Sequence, residues 1–216
     1  MAHKTYYIDP AHGDNTNDGL DATRPLWAHE ALTLSGGDTV LFKRGSRIRG
    51  KLATCCGSEG LPITYGAYGK GELPVWLGSI AIGDPACWIE ERPSLWRYTE
   101  TLPSEACNLI FNNGAECGNL RWTIEDLTHP GEWHATGIGR SSSADGNRVP
   151  DTGPDTLYLR SDGNPGTVYN DIECALWGQW SLVGGQKHIV LENLCFRNGG
   201  VHGYQDHGVH DVTIRN

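Results

Sequence analysis

His188-Ile189-Val190-Leu191-Glu192-Asn193 and Asp211-Val212-Thr213-Ile214-Arg215-Asn216 are two hexads of one pattern. Ile189 matches Val212, Leu191 matches Ile214 and Asn193 matches Asn216, each at the same offset, 212 − 189 = 214 − 191 = 216 − 193 = 23. Alternation of period two puts Ile189 and Leu191 on one face and Val190 and Glu192 on the other. Two matched strands ending on the same residue read as successive turns of a solenoid. Stacked in register, matched residues lie about 4.8 Å apart. Asn193 then sits over Asn216 as an amide ladder, Glu192 over Arg215, and His188 over Asp211. The last two pairs are opposite-charge or hydrogen-bonding ladders of a structural kind. With Gly199, Gly200, Gly203 and Gly208 in the return path, the coil suits a right-handed parallel β-helix.

Composition agrees with an all-β chain. The 216 residues allow one or two domains, and 29 glycines with 11 prolines exclude a helical bundle. Hydrophobic residues make up 38%, enough for a packed core, and eight Trp and eight Tyr suit short strands joined by tight turns. The net charge of −9 excludes a nucleic-acid partner, whose phosphates need a basic face. It also disfavours a polyanionic glycan unless a cation bridges the two. No apolar run reaches the roughly 18 residues of a membrane span. No signal peptide is legible after Met1, which fits a missing leader, an intracellular protein or release by lysis. Seven cysteines leave at least one outside any intrachain pairing, and vicinal Cys55-Cys56 are poor disulfide partners. Buried thiols acting as small apolar fillers are expected.

Along the chain, residues 5–9 read as a first strand. Thr23, as N-cap ahead of Pro25, starts a helix that ends at Gly36-Gly37, with Trp27, Ala31 and Leu34 on one face. Such a helix would cap the open end of a solenoid core. Short strands follow at residues 38–42, 62–65 and 74–77. The motifs Tyr6-Tyr7-Ile8-Asp9-Pro10, Gly37-Asp38-Thr39-Val40-Leu41-Phe42-Lys43-Arg44-Gly45 and Pro62-Ile63-Thr64-Tyr65-Gly66-Ala67-Tyr68-Gly69 resemble the opening of pectate-lyase-like β-helix proteins. The later Asn193-Leu194-Cys195-Phe196-Arg197-Asn198-Gly199-Gly200 resembles a repeat of the same superfamily. The likeness covers residues 5–80 and 185–216. Residues 86–180 break the rung pattern and resemble the β-rich insertion of glycoside-hydrolase-like members. The expected division is therefore 1–85 for the cap and first rungs, 86–180 for the insertion, and 181–216 for further rungs. A final strand leaves an open edge, so more rungs or a second copy are expected beyond Asn216.

The resemblance implies a carbohydrate-active protein whose partner is a polysaccharide or oligosaccharide, located outside the cell or in the periplasm. The superfamily hosts hydrolases, lyases and tailspikes, so chemistry has to be read from the site. His202, Tyr204, Asp206, His207 and His210 fall within nine positions in one return path. Asp206 and His207 are the candidate acid and base; His202, Tyr204 and His210 are the candidate sugar contacts. Trp133, beside Glu132 and His134, is a candidate sugar platform. No second carboxylate at the repeat spacing completes a glycosidase dyad. A lyase would need a basic ladder that the chain lacks, and a non-catalytic glycan-binding module of tailspike or adhesin type remains the rival. No metal is assigned, because His207 and His210 lack partners at a recognised spacing. Asp14-Asn15-Thr16-Asn17-Asp18-Gly19 resembles half of a calcium loop, but the closing position holds Pro25 rather than Glu, which favours an Asx-rich turn.

Overall fold

A computed structural model describes residues 2–136, 155–177, 182–183, 186–205 and 208–216. The chain is mostly β, and the described residues form two compact units. The first comprises Met1–Leu77, Ser181–Arg197 and Tyr204–Asn216; the second comprises Gly78–Trp180 and Asn198–Gly203.

In the first unit every pairing between named strands is parallel. One sheet runs Thr5–Ile8, Thr39–Lys43, Ile63–Tyr68, Lys187–Glu192, His210–Arg215. A second runs Arg47–Arg49, Val75–Leu77, Cys195–Arg197, and a third pairs Leu182–Val183 with Tyr204–Gln205. Register stacks like on like. Tyr6, Val40, Tyr65, Leu191 and Ile214 form one column across the first sheet, and Ile48, Trp76 and Phe196 form another across the second. The expected offset is the observed one, with Ile189 on Val212 and Leu191 on Ile214. Inward residues meet in one core of Ile8, Phe42, Ile63, Trp76 and their neighbours, where the Phe42 and Trp76 rings pack edge-to-face at 4.5 Å. Tyr65 sits in this core with its hydroxyl accepting the Cys55 N–H, and burial pushes its pKa up.

The expected cap helix is absent: residues 21–36 form turns. Tertiary partners take the peptide groups a helix would need. Leu26 N–H donates to Tyr7 O at 2.9 Å, and its carbonyl accepts from Asp9 N at 2.8 Å, a parallel bridge at the edge of the first sheet. Asn15 Oδ1 accepts the N–H of both Trp27 and Ala28. Thr23 donates through N and Oγ1 to Asp21 instead of capping a helix. Trp27, placed on the buried helical face by the pattern, is 56% exposed. Among the described residues, α-helix is confined to Pro165–Val168, and no helix is long and apolar enough to cross a membrane.

The second unit is built from mainly antiparallel pairings. Glu116–Cys117, Ala106–Phe111, Ile172–Leu176 and Ser79–Ala81 form one sheet; Asn119–Leu120, Glu132–Ala135, Leu157–Arg160, Leu95–Tyr98 and Trp88–Arg92 form the other. Leu109, Phe111 and Cys174 from the first sheet share a core with Trp88, Trp133 and Leu159 from the second. The cysteines depart from the expected buried fillers. Cys174 is buried, but Cys55, Cys56 and Cys117 are exposed, and all seven are free thiols.

Candidate functional site

The first unit's repeat positions the most concentrated chemistry among the described residues. His188 and Asp211 occupy matched places in adjacent rungs, 211 − 188 = 23. Both take left-handed backbone, φ 53° and 57°, a conformation in which His and Asp are enriched among non-glycine residues. The chain is held closely there: Gly57 N–H donates to Lys187 O, and a Cβ on Gly57 would lie 2.4 Å from His188 O. A side chain at residue 57 would collide with the backbone of His188, Leu61 and Ile63. Asn193 and Asn216 repeat the device at the other end of the hexads with φ 56° and 67°. Asn193 N–H donates to Arg215 O at 3.3 Å, a backbone contact to the next rung in place of the expected amide ladder.

Both expected charge ladders form. Arg215 Nε and Nη2 donate to Glu192 Oε2 at 2.9 and 2.6 Å. Asp211 Oδ2 lies 3.0 Å from His188 Nδ1 and 3.0 Å from His210 Nδ1, and the two imidazoles meet edge-to-face at 4.8 Å. The hydrogen-bonded His210 ring, with both imidazoles nearby, holds the Asp211 carboxyl below its usual range. One ligand atom from each residue lies within 4.8 Å of the others, the one such group of three among the described residues. Alongside runs a groove of about 390 Å³ lined by His188, Asp211, Ser58, Pro62, Val190 and Thr213.

The sequence-predicted site residues scatter against this geometry. His210 joins the cluster. His202 is exposed in the second unit. Tyr204 lies on the short strand that pairs with Leu182–Val183. Asp206 and His207 lie outside the described residues. Trp133 is corrected: it is 1% exposed, packed in the second unit's core, and offers no open face for a sugar. Among the described residues, the exposed indoles are Trp27, at 56%, and Trp122, at 69%. The sequence pattern points the other way for Trp27, placing it on a buried helical face, and Trp122 is marked only by its polar neighbours Arg121 and Thr123.

Glu132, read only as a neighbour of Trp133, is a buried carboxylate with its own shell. Burial pushes its pKa up, but the His129 and Thr128 N–H groups and the Arg121 guanidinium outweigh that and bring it to about 2. A carboxylate so fully engaged is a structural anion, not a proton donor. The calcium-like loop is spent in the same manner: Asp14 accepts from Thr16 N at 2.8 Å and Asp18 from Leu20 N at 3.1 Å, closing Asx turns.

The chain matches no protein-family model and no curated protein. Its fold is similar to that of a protein solved as the complex of XylC with xylose, at TM-score 0.54 and 17% identity over 88% of this chain. The chain spans 35% of that protein's length. Weaker likenesses are to a GH136 lacto-N-biosidase from Eubacterium ramulus, at TM-score 0.45 and 18% identity over 99% of this chain and 26% of that one, and to a glycoside hydrolase, at TM-score 0.49 and 12% identity over 91% and 51%.

Proposed function

We propose that the first unit is a run of rungs of a right-handed parallel β-helix, and that the chain belongs to a carbohydrate-active protein acting on a poly- or oligosaccharide. The observation that carries this reading is the parallel ladder of the first unit, stacked in register at the repeat offset, in a chain whose fold is similar to that of a protein solved with xylose. Glycoside hydrolysis is the leading activity, with Asp206 as the proton-transfer carboxyl and His207 beside it. Exposed Trp27 and Trp122 supply the aromatic faces that sugars stack on.

A second reading, a glycan-binding module without turnover, is favoured by one feature. Asp9 and Glu132, two of the buried carboxylates, are each tied to a cation and to backbone N–H groups, so neither of these two is available as half of a catalytic pair. A panel of xylo-oligosaccharides and neutral β-glycans, assayed for reducing ends and for binding by calorimetry, separates the two. Turnover lost in Asp206→Ala supports the hydrolase. Binding without turnover, weakened in Trp27→Ala or Trp122→Ala, supports the module. Absence of both binding and turnover across the panel overturns the carbohydrate assignment.

A further inference from the structure

We propose that His188, His210 and Asp211 form a binding site for a divalent first-row transition metal ion, with zinc as the ion to test first. Two imidazoles and one carboxylate are donors suited to zinc, iron, nickel or copper, whereas calcium takes six to eight oxygens. The three come from two rungs. His210 and Asp211 are adjacent in one strand, and His188 is brought over them by the parallel register. Local spacing in the sequence therefore hides the third ligand.

The separations suit an ion. Ligand atoms about 2.1 Å from a metal stand about 3.0 Å apart at a right angle and about 3.4 Å apart at the tetrahedral angle. Asp211 Oδ2 is 3.0 Å from Nδ1 of each histidine, and all three ligand atoms fall within 4.8 Å. A small rearrangement, drawing the two imidazole nitrogens together and easing the carboxylate back, admits an ion between them. The framework beneath is fixed: both His188 and Asp211 are set by left-handed backbone, and Gly57 lets the His188 carbonyl pack close against it. The groove on which His188 and Asp211 open leaves a coordination position for water or a ligand oxygen. Three protein ligands with an open position is the arrangement that leaves a bound ion chemically accessible.

The test uses the 216-residue chain stripped with a chelator and titrated with Co²⁺ and Zn²⁺, with no sugar present, so its outcome is independent of the carbohydrate reading. Cys55→Ser/Cys56→Ser is the background, because those exposed thiols are competing ligands. One ion per chain is expected, with visible d–d bands and no sulfur-to-cobalt charge transfer. Affinity should fall at least 10- to 100-fold, roughly, in His210→Ala and in Asp211→Asn, since even outer-shell changes cost that much. His210 and Asp211 are exposed, so both variants retain the core, and His12→Ala should bind as the parent does. Binding should weaken as pH falls and the imidazoles protonate. Absence of saturable binding, or binding unaltered by His210→Ala and Asp211→Asn, overturns the site and leaves a carboxylate–imidazole hydrogen-bond cluster.

Discussion

The two units bury their cores by different rules. In the first, neighbours in space are separated by a repeat: Leu191 meets Ile214 because both are the same position of successive turns. In the second, neighbours are set by antiparallel pairings of unlike segments, such as Trp133 with Leu159 and Leu159 with Trp96. A parallel stack carries one side-chain choice forward from rung to rung, so a short sequence match reveals a spatial contact. An antiparallel unit has no such rule, and each contact stands alone.

The largest test of that contrast sits within one column. Leu191 is 1% exposed with Tyr65 on one side and Ile214 on the other, whereas Ile214 is 52% exposed in the edge strand of the sheet. Leu191→Ala should cost about 2–5 kcal/mol by denaturant unfolding, from lost burial and the cavity left behind. Ile214→Ala should cost no more than about 1 kcal/mol. Equal losses at the two positions would mean that burial does not follow place in the stack.

Buried anions give the next test, with Glu132 in one unit set against Asp9 in the other. In the second unit Glu132 takes two Arg121 nitrogens on Oε1 and the Thr128 and His129 N–H groups on Oε2. In the first, Asp9 takes Lys43 Nζ at 2.6 Å and two weaker backbone donors, Ala11 and His12, at 3.1 and 3.2 Å. Glu132→Gln should cost about 2–3 kcal/mol and Asp9→Asn about 1–2 kcal/mol, in line with charge-assisted hydrogen bonds of unequal number. The pH dependence has a definite sign. A carboxyl held at about 2 when folded, against 4.5 when free, stabilises fully above pH 4.5 and loses that contribution as pH falls toward 2. Unfolding free energy of Glu132→Gln should therefore fall less steeply than the parent's across that window. Parallel acid limbs would remove Glu132 from the account.

What could be read in advance follows the same division. Ile189, Leu191 and Asn193 declared the register because the repeat wrote it twice. The helix expected from Thr23 to Gly36-Gly37 does not form, because helical spacing and a Thr-x-Pro start say nothing about Asn15, Tyr7 and Asp9, which take the peptide groups of residues 26–28. Trp133 was misread because an indole beside Glu and His looks the same whether the strand faces solvent or core. His188 and Asp211 were legible as a pair, but as a ladder; His210 joined them only because its strand starts beside Asp211.

The smallest expected effect concerns charge pairs on the two surfaces. Glu192–Arg215 spans adjacent rungs, with side chains 25% and 60% exposed, and both guanidinium contacts fall on one oxygen, Oε2. Glu91–Arg97 is the second unit's counterpart, 37% and 31% exposed, with Glu91 in a bulge of the Trp88–Arg92 strand. Exposed pairs contribute about 0.2–1 kcal/mol, since solvent screens the attraction and ordering two long side chains opposes it. Double-mutant cycles to alanine should place both couplings in that range, with much of each removed at 1 M salt, where the Debye length is about 3 Å. Each pair bridges two neighbouring strands on a solvent-facing surface, so the two couplings should agree within about 0.5 kcal/mol. A coupling at Glu192–Arg215 well above its counterpart, and persisting in salt, would show that stacking strengthens a surface pair beyond its geometry. The repeat would then store energy in its outer face as well as in its core.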